Sequence, residues 1–281
     1  MSRSPEELWK GLSRRRLTID GTDFALTVSE HDALTVYVPL AREIAARAER
    51  VDRRLLVGIA GPPGAGKTVT AVILAALLEE MGERPLVVPL DGFHYPNRYL
   101  DAHQGIGHDG KMHRLRELKG WHTTFDSRRA LRTFSRLRDG ECLGLPVYSR
   151  TLHDPVEDAL PVGPENRILL IEGNYLYLDA DPWRRIRELF NLRIFVTAPV
   201  EVLCRQVMER HVRGGRGEHV ARRKVDEVDR PNMEAVLPTR VHADVIIGGV
   251  RGDLVICITA TRSVFTVTSP LVDKRSGDRV Y

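Results

Sequence analysis

The sequence predicts an α/β fold with a parallel sheet covered by helices on both faces. Three observations carry the prediction. Short, almost continuously apolar runs alternate with stretches of helical periodicity, the pattern of strands buried on both faces. A glycine-rich GPPGAGKT segment, Gly61–Thr68, joins the first such run to a helix. Acidic residues, Asp91 and Glu172, end two of the other runs, where an open parallel sheet gathers its ligands.

Taken in order, residues 1–50 form an N-terminal extension. It holds an Arg14–Arg16 cluster, two short alternating segments around Gly21-Thr22 that suggest a hairpin, and a helical stretch from about Pro39 to Arg50. A core spans 51–250. Its first strand is Leu55–Ala60, and the helix after the glycine-rich segment runs from Lys67 to Met81, stopping at Gly82. Leu86–Leu90 is a short strand, Asp126–Leu137 a helix closed by Asp139-Gly140, and Arg167–Ile171 a second core strand. Asp181-Pro182 is expected to cap and open a helix through about Leu189. Leu192–Thr197 reads as a strand, Val200–Val212 as a helix and Ala243–Ile247 as a strand. A C-terminal extension, 251–281, adds β segments at Leu254–Thr259 and Ser263–Thr268, expected to pair with the N-terminal hairpin.

With 281 residues and 42% apolar composition, the chain can bury a substantial core. It contains no run of roughly 20 apolar residues, and Glu6 and Glu7 precede any apolar stretch, so neither a membrane span nor a leader is expected. A cytoplasmic protein is the expectation. Three scattered cysteines point to reduced thiols rather than a disulfide framework. The net charge of +4 arises from interleaved acidic and basic residues, and aromatics are only 6%, which argues against nucleic acid as a partner.

GPPGAGKT is a complete GxxxxGKT phosphate-binding loop in its confirming context, strand before and helix after, and the fold expected is that of P-loop NTPases. Glycines let successive N–H groups turn onto phosphates, Lys67 reaches the β/γ oxygens, and the Thr68 hydroxyl can ligate Mg²⁺. The expected cofactors are ATP and Mg²⁺, with nucleotide contacts from Gly61, Pro62, Pro63, Gly64, Ala65, Gly66, Lys67, Thr68 and Val69. Asp91, in PLDGFH, would accept or orient the proton of an attacking hydroxyl. Glu172, in LLIEGN, would hold Mg²⁺ directly or through water, and each following glycine would let backbone pass close to a ligand.

DGFH roughly two dozen residues after Lys67, PVY followed by His153, an EG strand end and LPTRVHADVII together resemble the phosphoribulokinase/uridine kinase family of P-loop kinases, which has a pantothenate kinase branch. The chain is similar in particular to a bacterial branch carrying DGFH, KGxxxTFD, PVYxRxxHDPV and EGNYL. The resemblance implies a catalytic base at Asp91 and metal ligands at Thr68 and Glu172. It also implies an acceptor pocket containing His94, Tyr148, His153 and Lys119. Ser149 departs from the family, which commonly has aspartate there, and Trp121–Thr124 departs from the branch. The segment Arg205–Arg223, with RGGRGEH, resembles the family's lid; Arg205 and Arg210 are its expected catalytic arginines, and Arg213 and Arg216 further phosphate contacts. Asn232 matches the branch without a derivable role.

The expected activity is therefore ATP-dependent phosphoryl transfer to an alcohol of a sugar, polyol, nucleoside or pantothenate-like small molecule. A regulatory or ligand-sensing NTPase is the alternative, weakened by the lack of NKxD and DxxG segments. A homodimer is left open.

Overall fold

The computed structural model describes residues 3–19, 22–25, 28–249 and 254–258. The chain begins with α1 (Pro5–Ser13), opened by a Ser4/Glu7 capping box and Pro5. The hairpin of β1 (Arg16–Ile19) and β2 (Thr22–Ala25) follows. Next come α2 (Glu30–Asp32), a wider π-type turn over Ala33–Tyr37, and α3 (Val38–Glu49). The core then runs through β3 (Leu55–Ala60), α4 (Lys67–Glu80), β4 (Leu86–Pro89), α5 (Asn97–Ala102), β5 (Gln104–Ile106) and β6 (Met112–Arg114). It continues with α6 (Ser127–Arg138), β7 (Leu143–Ser149), β8 (Asp154–Val162), β9 (Ile168–Gly173), α7 (Trp183–Arg187) and β10 (Leu192–Val196). The last elements are α8 (Val200–Arg213), α9 (Glu218–Lys224), α10 (Arg230–Val236), β11 (Val245–Gly248) and β12 (Val255–Ile258). No helix among the described residues is long and apolar enough to cross a membrane.

The main sheet has the order β12-β11-β10-β3-β9-β4, parallel throughout except for β12. Every residue of β3 and β9 is buried, as their unbroken apolar runs require of strands covered on both faces. One face carries α1, α3 and α4 through Leu8, Leu12, Leu40, Ile44, Leu74 and Leu77, so the N-terminal segment shares its core with the sheet. The other face is aromatic, with Phe93, Phe134, Tyr175, Tyr177 and Trp183 around α6 and α7. Arg15, from the arginine cluster, bonds Glu80 of α4 at 2.8 Å and ties the start of the chain to the helix after the loop. The buried Arg54, just before β3, donates to the carbonyls of Asn166 (3.0 Å), Gly163 (2.9 Å), Leu137 and Glu141. One side chain thus closes several backbone ends at the bottom of the sheet.

Two expectations are corrected. Residues 255–258 pair antiparallel with β11, not with the N-terminal hairpin, and so cover the edge that β11 would otherwise leave open. The Ser263–Thr268 segment lies outside the described residues. The helix after Asp181-Pro182 is shorter, ending at Arg187, and Asp181 pairs with Arg184 at 3.2 Å instead of capping the helix. The β7–β8 hairpin was not anticipated, since its exposed strand lacks an apolar run.

Candidate functional site

Register builds the site. Ile59 lies opposite Glu172, and Pro89 lies opposite Glu172 from the other side, so the carboxyl ends of β3, β9 and β4 finish level. Gly61, Glu172 and Asp91 consequently leave the sheet at one rim, Asp91 within the single 3₁₀ turn Leu90–Phe93. Gly64 (φ 82°) and Gly66 (φ 87°) bend the loop through left-handed backbone and start α4 at Lys67, whose free N–H groups and dipole then face the loop's concavity. A Cβ on Gly64 would also approach the Leu203 carbonyl at 2.8 Å, so loop and α8 fit only with glycine there.

Lys67 is buried, with its Nζ donating to the Pro62 carbonyl at 3.1 Å. Burial draws its pKa down to about 8, with Arg210 acting in the same direction and Glu172 and Asp91 opposing. Thr68 Oγ1 donates to Glu172 Oε1 at 3.0 Å. A hydroxyl and a carboxylate in contact are the hard oxygen donors that Mg²⁺ accepts, one or two from protein and the rest from phosphates and water. No cluster of three or more His, Cys, Asp or Glu able to hold a metal ion occurs among the described residues.

These groups open onto a cavity of about 250 Å³. Its wall includes Lys67, Thr68, Asp91, His94, Lys119, Tyr148, Glu172 and Arg210 of the expected residues. The His94 ring lies 3.8 Å from Phe125 and 5.3 Å from Tyr148, centroid to centroid. Its Nδ1 bonds the Asp91 carbonyl at 2.8 Å, which requires the proton on Nδ1 and leaves Nε2 an acceptor. Burial lowers the His94 pKa and keeps the ring neutral. Lys119 donates to Asn97 Oδ1 at 2.5 Å and to the His153 carbonyl at 2.6 Å, and its Nζ sits 5.0 Å from the Tyr148 ring centre.

His153 therefore reaches the site through its backbone; its side chain is exposed and is not part of the cavity wall. Arg205, Arg213 and Arg216 also lie outside that wall, and of the four arginines expected there only Arg210 reaches it. Val69 packs against the core. The two glycines expected to admit a ligand serve packing: a Cβ on Gly92 would meet the Pro146 carbonyl at 2.0 Å, and one on Gly173 the Leu90 side chain at 2.5 Å. Trp121 packs edge-on against Tyr175, away from the cavity wall.

The structure adds residues that sequence reasoning missed. Phe125, Arg150, Asn174, His211, Lys224 and Asp229 line the cavity, as does Asn232. His211 and Asp229 form a buried pair, Nε2 to Oδ2 2.8 Å, while Arg216 donates to His211 Nδ1 at 3.3 Å. A guanidinium only donates, so Nδ1 accepts and Nε2–H points to Asp229. Arg210 approaches Asp229 at 3.9 Å. These contacts tie α8 and Arg216 to Asp229, in the turn Val225–Asp229 that follows α9. Burial lowers the Lys224 pKa, helped by Arg216 and Arg210 and opposed by Asp229. Of these additions Phe125, Arg150 and Asn174 carried a local signal, standing in the KGxxxTFD, PVYxRxxHDPV and EGNYL segments.

The profile of the Phosphoribulokinase / Uridine kinase family matches residues 56–255. The uncharacterised protein YggC of Escherichia coli K12 is 32% identical over 82% of this chain and 93% of its own length. The pantothenate kinase of Rhodococcus erythropolis is 30% identical over 75% of this chain and 78% of its own. A crystal structure from Silicibacter sp. TM1040, provisionally assigned as a fructose transport system kinase, superposes with a TM-score of 0.61. It is 32% identical and covers 71% of this chain and 94% of that one.

Proposed function

Because the chain belongs to the phosphoribulokinase/uridine kinase family of small-molecule kinases, we propose that it transfers the γ-phosphoryl group of ATP to an alcohol of a small acceptor. The observation that carries the reading is convergence. Lys67, Thr68, Glu172 and Asp91 meet at one rim of the sheet on a single cavity, whose wall also holds His94, Tyr148 and Lys119.

Each residue then has a task. The loop N–H groups and Lys67 bind the phosphates, and Thr68 with Glu172 would hold Mg²⁺, which when bound neutralises phosphate charge. Asp91 accepts the acceptor hydroxyl's proton. His94, neutral with its Nε2 lone pair, and Tyr148 orient that hydroxyl. Arg210 and Lys224 screen charge developing on the transferred group, and closure of α8 and α9 excludes water. The relatives' names, pantothenate kinase and fructose transport system kinase, fit an alcohol as the acceptor.

The test is ADP release from Mg-ATP against sugars, sugar phosphates, polyols, nucleosides and pantothenate, with Lys67→Ala as the blank. Stimulation by one class, lost by at least about 10²-fold in Asp91→Asn with the ATP KM preserved, is expected. Slow release that no acceptor stimulates would instead indicate a regulatory or ligand-sensing NTPase.

A further inference from the structure

We propose that the groove between α6 and α7 is a second binding site, separate from the cavity at the loop, for a small organic molecule carrying paired phosphate charges. The groove has a volume of about 680 Å³, the size of a small-molecule site, and shares no wall residue with the cavity of about 250 Å³. The buried sides of the same helices pack toward that cavity instead. Phe134 of α6 meets Phe93 at 5.1 Å and Trp183 of α7 meets Phe125 at 6.1 Å, centroid to centroid.

The groove is electrically unbalanced. Arg128, Arg132 and Arg136 stand four residues apart on α6 and so share one face of the helix, and Arg185 joins them from α7. Arg136 pairs with Glu141 at 2.7 Å, whereas the guanidinium groups of Arg128, Arg132 and Arg185 make no hydrogen bond or ion pair among the described residues. Other arginines of these two helices do find carboxylates: Arg129 holds Glu157 at 2.8 Å, Arg184 holds Asp181 at 3.2 Å and Arg187 holds Asp179 at 3.1 Å. Among the described residues Asp181 is the only carboxylate of the groove wall, and its charge is shared with Arg184.

Like charges one helical turn apart destabilise a helix until something neutralises them. Guanidinium groups spread along one helix and across to another match negative charges spaced along a molecule better than a single anion, because each can give a phosphate two parallel charge-assisted hydrogen bonds. Between the cations, Leu131 and Pro182 offer apolar surface to a carbon skeleton or a base. Sugar bisphosphates and nucleoside diphosphates share that chemistry: paired phosphate charges on an organic body.

Calorimetric titration of the full chain, in the presence of a non-hydrolysable ATP analogue to fill the loop, tests this with fructose 1,6-bisphosphate and guanosine diphosphate as probes and with fructose and guanosine as their uncharged controls. At least one phosphorylated probe should bind saturably while its control does not, and which one binds separates a sugar from a nucleoside source. Arg132→Gln and Arg185→Gln, whose folding a thermal melt verifies, should each weaken that binding by about tenfold or more, the range of hydrogen bonds to charged groups. Arg132→Lys should restore part of it, since an ammonium keeps the charge and loses the two-pronged contact. Saturable binding that neither glutamine variant weakens would place the probe in the cavity and overturn the inference. Binding of neither probe would overturn it too, including the case in which the groove retains only RNA or anionic vesicles. The kinase reading stands in all of these cases.

Discussion

Lys67 puts a function-for-stability exchange within reach of measurement. Its pKa falls from 10.5 to about 8, chiefly through burial. At about 1.4 kcal/mol per pKa unit, the folded protein at neutral pH carries a cost of about 3 kcal/mol for keeping this ammonium charged. Lys67→Met keeps the apolar stem and removes the charge, forfeiting the 3.1 Å bond to Pro62, worth about 1 kcal/mol. The variant should therefore be more stable than the parent by about 2 kcal/mol at pH 7, raising the urea midpoint by roughly 0.5–1 M for an m-value near the upper end of the usual range. Phosphoryl transfer should be lost.

The pH dependence has a definite sign. Folded Lys67 releases its proton near pH 8, whereas an unfolded lysine does so near about 10.4, so between these values the unfolded state binds more protons. Parent stability then rises relative to the variant across that window, and the gap closes above it. Below pH 8 the gap is constant. Urea unfolding of both proteins at intervals from pH 7 to 10.5 reads this directly. A methionine variant less stable than the parent at pH 7, or a gap that does not narrow with pH, would refute the account of Lys67 as a buried cation whose desolvation outweighs its compensation by Glu172 and Asp91.

Arg54→Met should lower stability by about 3 kcal/mol or more by leaving buried carbonyls unpaired, seen as a lower urea midpoint with ATP affinity retained in the folded fraction. Gly92→Ala should be disproportionately damaging for a single methyl, about 2 kcal/mol or more, because backbone of β7 must move; activity measured below the melting range should fall too, since Asp91 is adjacent. His211→Gln, which can still donate to Asp229, should retain more activity than His211→Ala. In the alanine variant, kcat should drop by about tenfold or more, with the acceptor KM less affected, as the Arg210 side of the cavity loses its support.

The loop was legible because its chemistry is contiguous: glycines, lysine and threonine at fixed spacing impose the local backbone, and flanking apolar runs announce strand and helix. Asp91 and Glu172 were legible because a parallel sheet brings strand ends to one rim whatever the order of its strands. Local composition cannot say which arginine of Arg205–Arg223 faces the cavity. The packing of α8 on the loop at Gly64 and against α9 brings Arg210, Lys224 and Asp229 to the cavity wall and sets Arg216 against His211. Nor could spacing distinguish the side chain of His153 from its carbonyl, or see that Gly92 and Gly173 admit protein, because both depend on how the β7–β8 hairpin and β4 pack against their neighbours. The sequence by itself determined the α/β core, the GxxxxGKT loop and the rim carboxylates, all set by short-range pattern. Only the tertiary structure decided which charges share the cavity, because those meetings are made by packing between segments far apart in the chain.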